Sequence, residues 1–226
     1  MARRTKEDAL ATRNKLLDSA EYLFQSQGVS RTSLQDIARR AGATRGAVYW
    51  HFTDKADLFN AMMERVTLPL EAAFSDDADL RLNSSSVDVD ALLKIRRATV
   101  EALRRIVNDA QARRVFEVAT QKVEYVDELH TVRLRHLAIR QSFVSRFEQS
   151  IESEAMRDGL LLPMPAALAA RGFHALIDGL IQNWLLDQKV FDLLEVGQRA
   201  MNIYLKGLGF SITPEYETQP GPRPGW

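Results

Sequence analysis

Residues 32–59 read Thr-Ser-Leu-Gln-Asp-Ile-Ala-Arg-Arg-Ala-Gly-Ala-Thr-Arg-Gly-Ala-Val-Tyr-Trp-His-Phe-Thr-Asp-Lys-Ala-Asp-Leu-Phe, and this stretch decides the fold. Thr32-Ser33-Leu34-Gln35 has the form of a capping box, which satisfies the free N–H groups at a helix start. Leu34, Ile37 and Ala38 give that short helix one apolar face, and Ala41-Gly42-Ala43 supplies a tight turn. Thr44 caps a third helix running through Phe52, with Val48 and Phe52 inward. Asp54 caps a long fourth helix with the stripe Leu58, Phe59, Met62 and Val66. Upstream, Leu16, Ala20, Leu23 and Phe24 follow helical spacing until Gly28 stops the helix. Two short helices about a three-residue turn, supported by a first helix, make a helix-turn-helix.

In that motif the second helix of the pair enters the major groove of DNA. Its outer surface here offers Thr44, Arg45, Gly46, Tyr49, Trp50 and His51. Arg45 can donate two hydrogen bonds to guanine. Tyr49 and His51 suit phosphate oxygens, and Gly46 lets backbone approach the duplex. Lys55 in the first turn of the fourth helix, and Thr32 and Ser33 opening the second, sit where helix N-termini attract phosphate. The same spacing also fits a plain helical hairpin with Tyr49 and Trp50 in its core.

Charge points the same way. The chain of 226 residues has zero net charge, but residues 1–55 hold ten basic side chains against six acidic ones. A basic head on an acidic body suits a nucleic-acid partner. Several enzyme signatures are missing, while a small-molecule enzyme or carrier with a vestigial head and an architectural DNA protein stay open as other classes. The chain has no Cys, so disulfides, thiolate metal sites and cysteine nucleophiles are ruled out. It has no HExxH, no GxxxxGK[ST] and no GxSxG. Gly207-Leu208-Gly209 ends a helix, whereas a dinucleotide fingerprint follows a strand. His130 and His136 are six apart and do not stack as metal ligands on one helix face. No catalytic residue, metal or cofactor is expected. The opening lacks the apolar segment of a signal peptide. The longest uncharged run, residues 159–170, carries two prolines and is too short to span a bilayer. The expectation is a cytoplasmic protein with no membrane partner.

Beyond a polar linker from Ser75 to Asp88, the pattern predicts helices at about 88–107, 109–123, 127–157, 165–187 and 192–207. The expected fold class is all-α, a three-helix head on a larger helical body. Residues 1–55 form the DNA-binding domain and 56–210 the ligand-binding and dimerisation domain, with a disordered Pro-rich tail over 211–226.

Inside the body, Val132, His136, Ile139, Phe143 and Phe147 make an inward stripe, and His174, Ile177, Asp178 and Ile181 share one face. His and Asp among apolar residues suit the edge of a bound aromatic molecule, with Phe116 and Thr120 on the same wall. The alternative is a core His satisfied by a carbonyl and an Asp paired to an arginine. Gly172 and Gly179, with Gly197, Ala200, Tyr204 and Leu208 on the last helix, make small-residue strips for a four-helix dimer interface. The alternative is that both strips pack inside one subunit.

The runs Thr32–Ala38, Gly42–Phe52 and Asp54–Phe59 resemble the DNA-binding head of TetR-family transcriptional regulators, and the wording around Tyr49-Trp50-His51-Phe52 is similar to that of AcrR/TtgR-type repressors of multidrug efflux pumps. The resemblance covers about residues 10–60. It implies an all-helical homodimer that binds a pseudo-palindromic operator through Thr32, Ser33, Thr44, Arg45, Gly46, Tyr49, Trp50, His51 and Lys55. It further implies a C-terminal cavity for a bulky hydrophobic or aromatic effector that releases the repressor. Control of a metabolic or catabolic gene, or activation, is the alternative.

Overall fold

The computed structural model describes residues 6–73 and 91–212, so the expected linker, the N-terminal arm and residues 213–226 of the expected tail lie outside the described residues. The described residues are helical and contain no strand. The order is α1 (Lys6–Gln27), α2 (Leu34–Arg40), α3 (Arg45–His51), α4 (Lys55–Ala73), α5 (Ala91–Asn108), α6 (Ala110–Gln121), a 3-10 turn (Asp127–Leu129), α7 (His130–Asp158), α8 (Ala166–Leu186) and α9 (Leu193–Gly207).

Local chemistry sets these boundaries. The capping box of α2 is shifted by one residue from the expected Thr32–Gln35. Ser33 is the N-cap, its Oγ accepts from Asp36 N at 3.1 Å, and Ser33 N donates back to Asp36. Gly42, at φ +63°, makes the left-handed turn into α3, where a side chain would be strained. Thr44 Oγ1 accepts from Ala47 N at 3.2 Å and starts α3. Asp54 Oδ1 accepts from Asp57 N at 2.8 Å, and Thr53 N donates to Asp57 at 2.8 Å, which fixes the start of α4. Asp109 and Asp192 cap α6 and α9, and Gly159 ends α7 at φ +61°.

The apolar stripes then assemble three cores. Leu16, Leu17, Phe24, Ile37, Val48 and Phe52 close the head, and this core runs on through Leu58 and Met62 into Val115, Val118 and Val132 of the body. A second core joins Phe147, Ile151, Phe173, Met201 and Leu205, and a third joins Leu103, Ile106, Trp184 and Leu193. A polar seam crosses the junction of head and body. Buried Glu21 of α1 accepts from Arg65 of α4 and Gln111 of α6, each at 2.9 Å. Nearby, Gln25 donates to Glu117 at 2.7 Å and Val29 N to Lys122 O at 3.1 Å.

Two glycines of the expected dimer strips meet side chains of their own subunit. Tyr204 lies over Gly172 and its hydroxyl donates to Ala169 O at 2.8 Å, so a Cβ at Gly172 would collide with the phenol. Gly197 sits against buried Leu103 of α5 in the same way. Period alone cannot say whether a small-residue face meets its own subunit or a copy. Gly179 differs, because a Cβ there would meet nothing within 4 Å. Ala200 is half-buried.

Candidate nucleic-acid interface and effector cavity

Helix α3 presents its outer side to solvent. Trp50 is 71% exposed and Tyr49 50%, so neither serves as a core aromatic of a simple hairpin. Val48 alone among its residues is fully buried, anchoring the helix. The Arg45 guanidinium lies 5.5 Å from the Tyr49 ring, and Trp50 meets His51 edge-on at 4.5 Å. Ser33, Thr44, Arg45 and Gly46 are exposed beside them. Together they make a mainly exposed polar and aromatic face on a single short helix, the kind of element a major groove admits.

Two expected phosphate contacts have other partners. Thr32 is buried; its hydroxyl donates to Gly28 O at 2.7 Å and accepts from Gln27 at 3.1 Å, which holds the α1–α2 connection. Lys55 is only 7% exposed. Its Nζ donates to Ser30 O at 3.3 Å and pairs with Glu128 at 3.3 Å, the acid lying in the turn before α7. Spacing reveals the lysine at a helix N-terminus but not a carboxylate so far along the chain.

All eight residues expected at a ligand wall line one cavity of about 210 Å³: Phe116, Thr120, His136, Phe143, Phe147, His174, Ile177 and Asp178. Helices α4 to α8 all contribute to it. The walls are largely carbon; Phe147 and Phe173 stack at 3.9 Å between ring centroids. One polar group sits where α7 meets α8. Asp178 accepts from Gln182 at 2.6 Å, which replaces the arginine partner considered from the sequence. Tyr125 and His136 Nδ1 are 3.4 Å apart. Burial lowers the pKa of His136 and His174 below the ordinary value, against the opposing pull of Asp178. Both imidazoles are thereby biased toward the neutral form, which can donate from one nitrogen and accept at the other. Burial raises the Tyr125 phenol and keeps its proton.

Sequence reasoning missed Thr67, Arg135, Arg140 and Phe173, which line the same cavity. Phe173 carried a signal, since it neighbours His174 on the small-residue helix. Thr67 and Arg135 carried none, because only the packing of α7 on α4 brings them together. No described helix is long and apolar enough to cross a membrane. Among the described residues no cluster of three or more His, Asp or Glu is placed to hold a metal ion.

Comparison with known proteins places this architecture. Residues 16–62 match the model of bacterial regulatory proteins of the tetR family, and residues 90–210 match the C-terminal region of MAATS-type transcriptional repressors. The transcriptional regulator TtgR of Pseudomonas putida is 37% identical over 198 residues, covering 86% of this chain and 90% of TtgR. NalD, the secondary repressor of the MexAB-OprM multidrug efflux pump in Pseudomonas aeruginosa, is 37% identical, with a TM-score of 0.77 over 90% of this chain and 98% of NalD. The complex of triclosan with SmeT, the repressor of the Stenotrophomonas maltophilia pump SmeDEF, superposes with a TM-score of 0.71 at 28% identity, over 94% of this chain and all of SmeT. With a reading head, a mainly apolar cavity and both family regions in their expected places, the chain belongs to the tetR family of bacterial transcriptional regulators, with a MAATS-type repressor body.

Proposed function

We propose that the chain is a homodimeric repressor of a multidrug efflux operon, released from a pseudo-palindromic operator by a bulky hydrophobic or aromatic molecule. The observation that carries this reading is the cavity lined by all eight candidate wall residues, which also touches Phe59 and Met63 of α4. Helix α4 begins at Lys55, directly after α3 in the chain, and packs on α1 of the head, so whatever fills the cavity acts on an element joined to the head. Residues 1–55 read the operator, with Arg45 at a base edge and Tyr49, Trp50, His51, Ser33 and Thr44 at the backbone. Residues 56–210 bind the effector and the second subunit. Two copies pair through the outward side of α8 and α9, where Leu168, Leu186 and Ile203 are exposed and Gly179 leaves open space. Pairing spaces two recognition helices for successive major grooves. NalD and SmeT, which repress pumps, and the triclosan held by SmeT support the target and the effector class.

Gel-shift titration tests it. DNA upstream of this gene and of any neighbouring pump genes should bind the dimer, and triclosan or a related phenol should release it. Binding that ignores both DNA sequence and phenol would overturn the proposal.

A further inference from the structure

A second set of polar atoms lines the cavity from α4 and α7. Thr67 of α4 is 6% exposed and its Oγ1 has no hydrogen-bond partner among the described residues. A helical threonine ordinarily donates to the carbonyl one turn back. Thr120, on the same wall, does so to Phe116 O at 2.8 Å. Arg135 of α7 pairs with Glu64 through Nη2 at 3.1 Å, yet its Nε is buried without a partner among the described residues. Buried polar groups left unpaired cost folding free energy, and each such group calls for an explanation.

The two groups draw on different pairs of helices. Helix α7 packs against both α4 and α8. Its His136 belongs with His174 and Asp178 of α8, whereas its Arg135 turns to Glu64 of α4 and shares the cavity with Thr67. Phe116, Phe143, Phe147 and Ile177 supply the apolar surface. The Arg135 guanidinium is already balanced by Glu64, so a neutral oxygen suits the α4 side better than a carboxylate.

Resting on the effector reading above, we propose that Thr67 and Arg135 form a second polar subsite of the cavity. It takes a neutral oxygen at the far end of an elongated aromatic effector whose other oxygen meets the α8 group. Arg135 Nε–H donates to that oxygen, and the ligand hydroxyl donates in turn to Thr67 Oγ1. The effector is thus tied at one end to α8 and at the other to α4, the helix that leads to the head.

Calorimetry on the full chain tests the subsite with 4-hydroxybiphenyl and 4,4′-dihydroxybiphenyl. The wild type should prefer the second probe by at least about fivefold, the worth of two hydrogen bonds at the low end of their net range. Thr67→Val keeps the shape, and Arg135→Lys keeps the charge facing Glu64. Both should abolish the preference while leaving the affinity for the first probe within about twofold. Thr67→Val should also melt no lower than wild type, because its hydroxyl satisfies nothing within the protein. A preference that survives both substitutions, or an equal loss of both probes, would overturn the subsite. A wild type that binds both probes equally would also overturn the subsite and leave the effector reading standing. Failure of the wild type to bind either probe would remove both.

Discussion

Glu21→Gln sets the desolvation of a carboxylate against its ion pairs. Glu21 is buried where α1 meets α4 and α6; its Oε1 accepts from Arg65 and Gln111 at 2.9 Å, and Arg114 stands 3.8 Å from Oε2. Burial raises this carboxyl above its ordinary value, outweighing the Gln111 hydrogen bond and the arginine charges that lower it. An amide keeps the shape and one acceptor for the two donors. Two hydrogen bonds to a charged acceptor weaken to neutral strength, a loss of about 1–3 kcal/mol. Against that, the amide avoids several kcal/mol of carboxylate desolvation. Because burial wins in the wild type, the net change at pH 7 should lie within about 1 kcal/mol. The sign with pH follows from linkage. A folded pKa above the unfolded value of 4.5 gives stability that is complete below that value and lost as pH rises through the folded pKa. The uncharged variant should therefore gain on wild type as pH rises from about 4 to 7, read from urea midpoints at three pH values. Glu21→Ala, by contrast, strips both donors of their acceptor and should cost about 3 kcal/mol, the low end for a broken buried pair because Asp18 still holds Arg65 at 2.7 Å. A Gln variant that loses about 3 kcal/mol or more at pH 7, with the gap widening as pH rises, would refute the reasoning and make the ion pairs dominant.

Named contacts elsewhere give four further outcomes. Gly197→Ala drives a methyl into Leu103 and should destabilise by about 1–3 kcal/mol, less about 1 kcal/mol of helix propensity, in a thermal melt. Gly179→Ala meets nothing within its subunit, so a stabilisation of about 1 kcal/mol marks a free face, and a loss accompanied by monomer in sedimentation marks a partner helix. The half-buried His136 and His174 are depressed bases, so their share of stability is complete above pH 6.5 and falls as acid passes through their lowered pKa; His174→Gln should flatten melting temperature below pH 6.5. Glu128→Gln frees the Lys55 ammonium and should steepen the salt dependence of operator binding by up to about 0.9 in log–log slope, measured by fluorescence anisotropy.

The parts of this molecule that are legible in its sequence are those set by near neighbours. Caps and stops such as Thr44, Asp54 and Gly28 act within a turn of helix, and helix limits from α5 onward fall within about three residues of the pattern. The cavity wall is legible because His136, Phe143 and Phe147 on α7, and His174 and Asp178 on α8, lie on inward stripes whose polar members stand out. What escapes needs partners far along the chain. Lys55 and Glu128 meet only when the turn before α7 docks on α4, and Thr67 joins Arg135 in one wall only across two helices. Thr32 departs from expectation for a nearer reason: Gly28 O, exposed by the end of α1, competes for its hydroxyl and wins.

Reciprocity between the two sites is the most direct test of a repressor released by its effector. Linkage requires that if triclosan weakens operator binding by some factor, the operator weakens triclosan binding by the same factor. Calorimetric titration of triclosan into the free protein and into the protein saturated with operator measures this, alongside operator affinity with and without triclosan. Coupling should be about 5- to 150-fold, equal in both directions. Triclosan binding with the same affinity to free and operator-bound protein would contradict it.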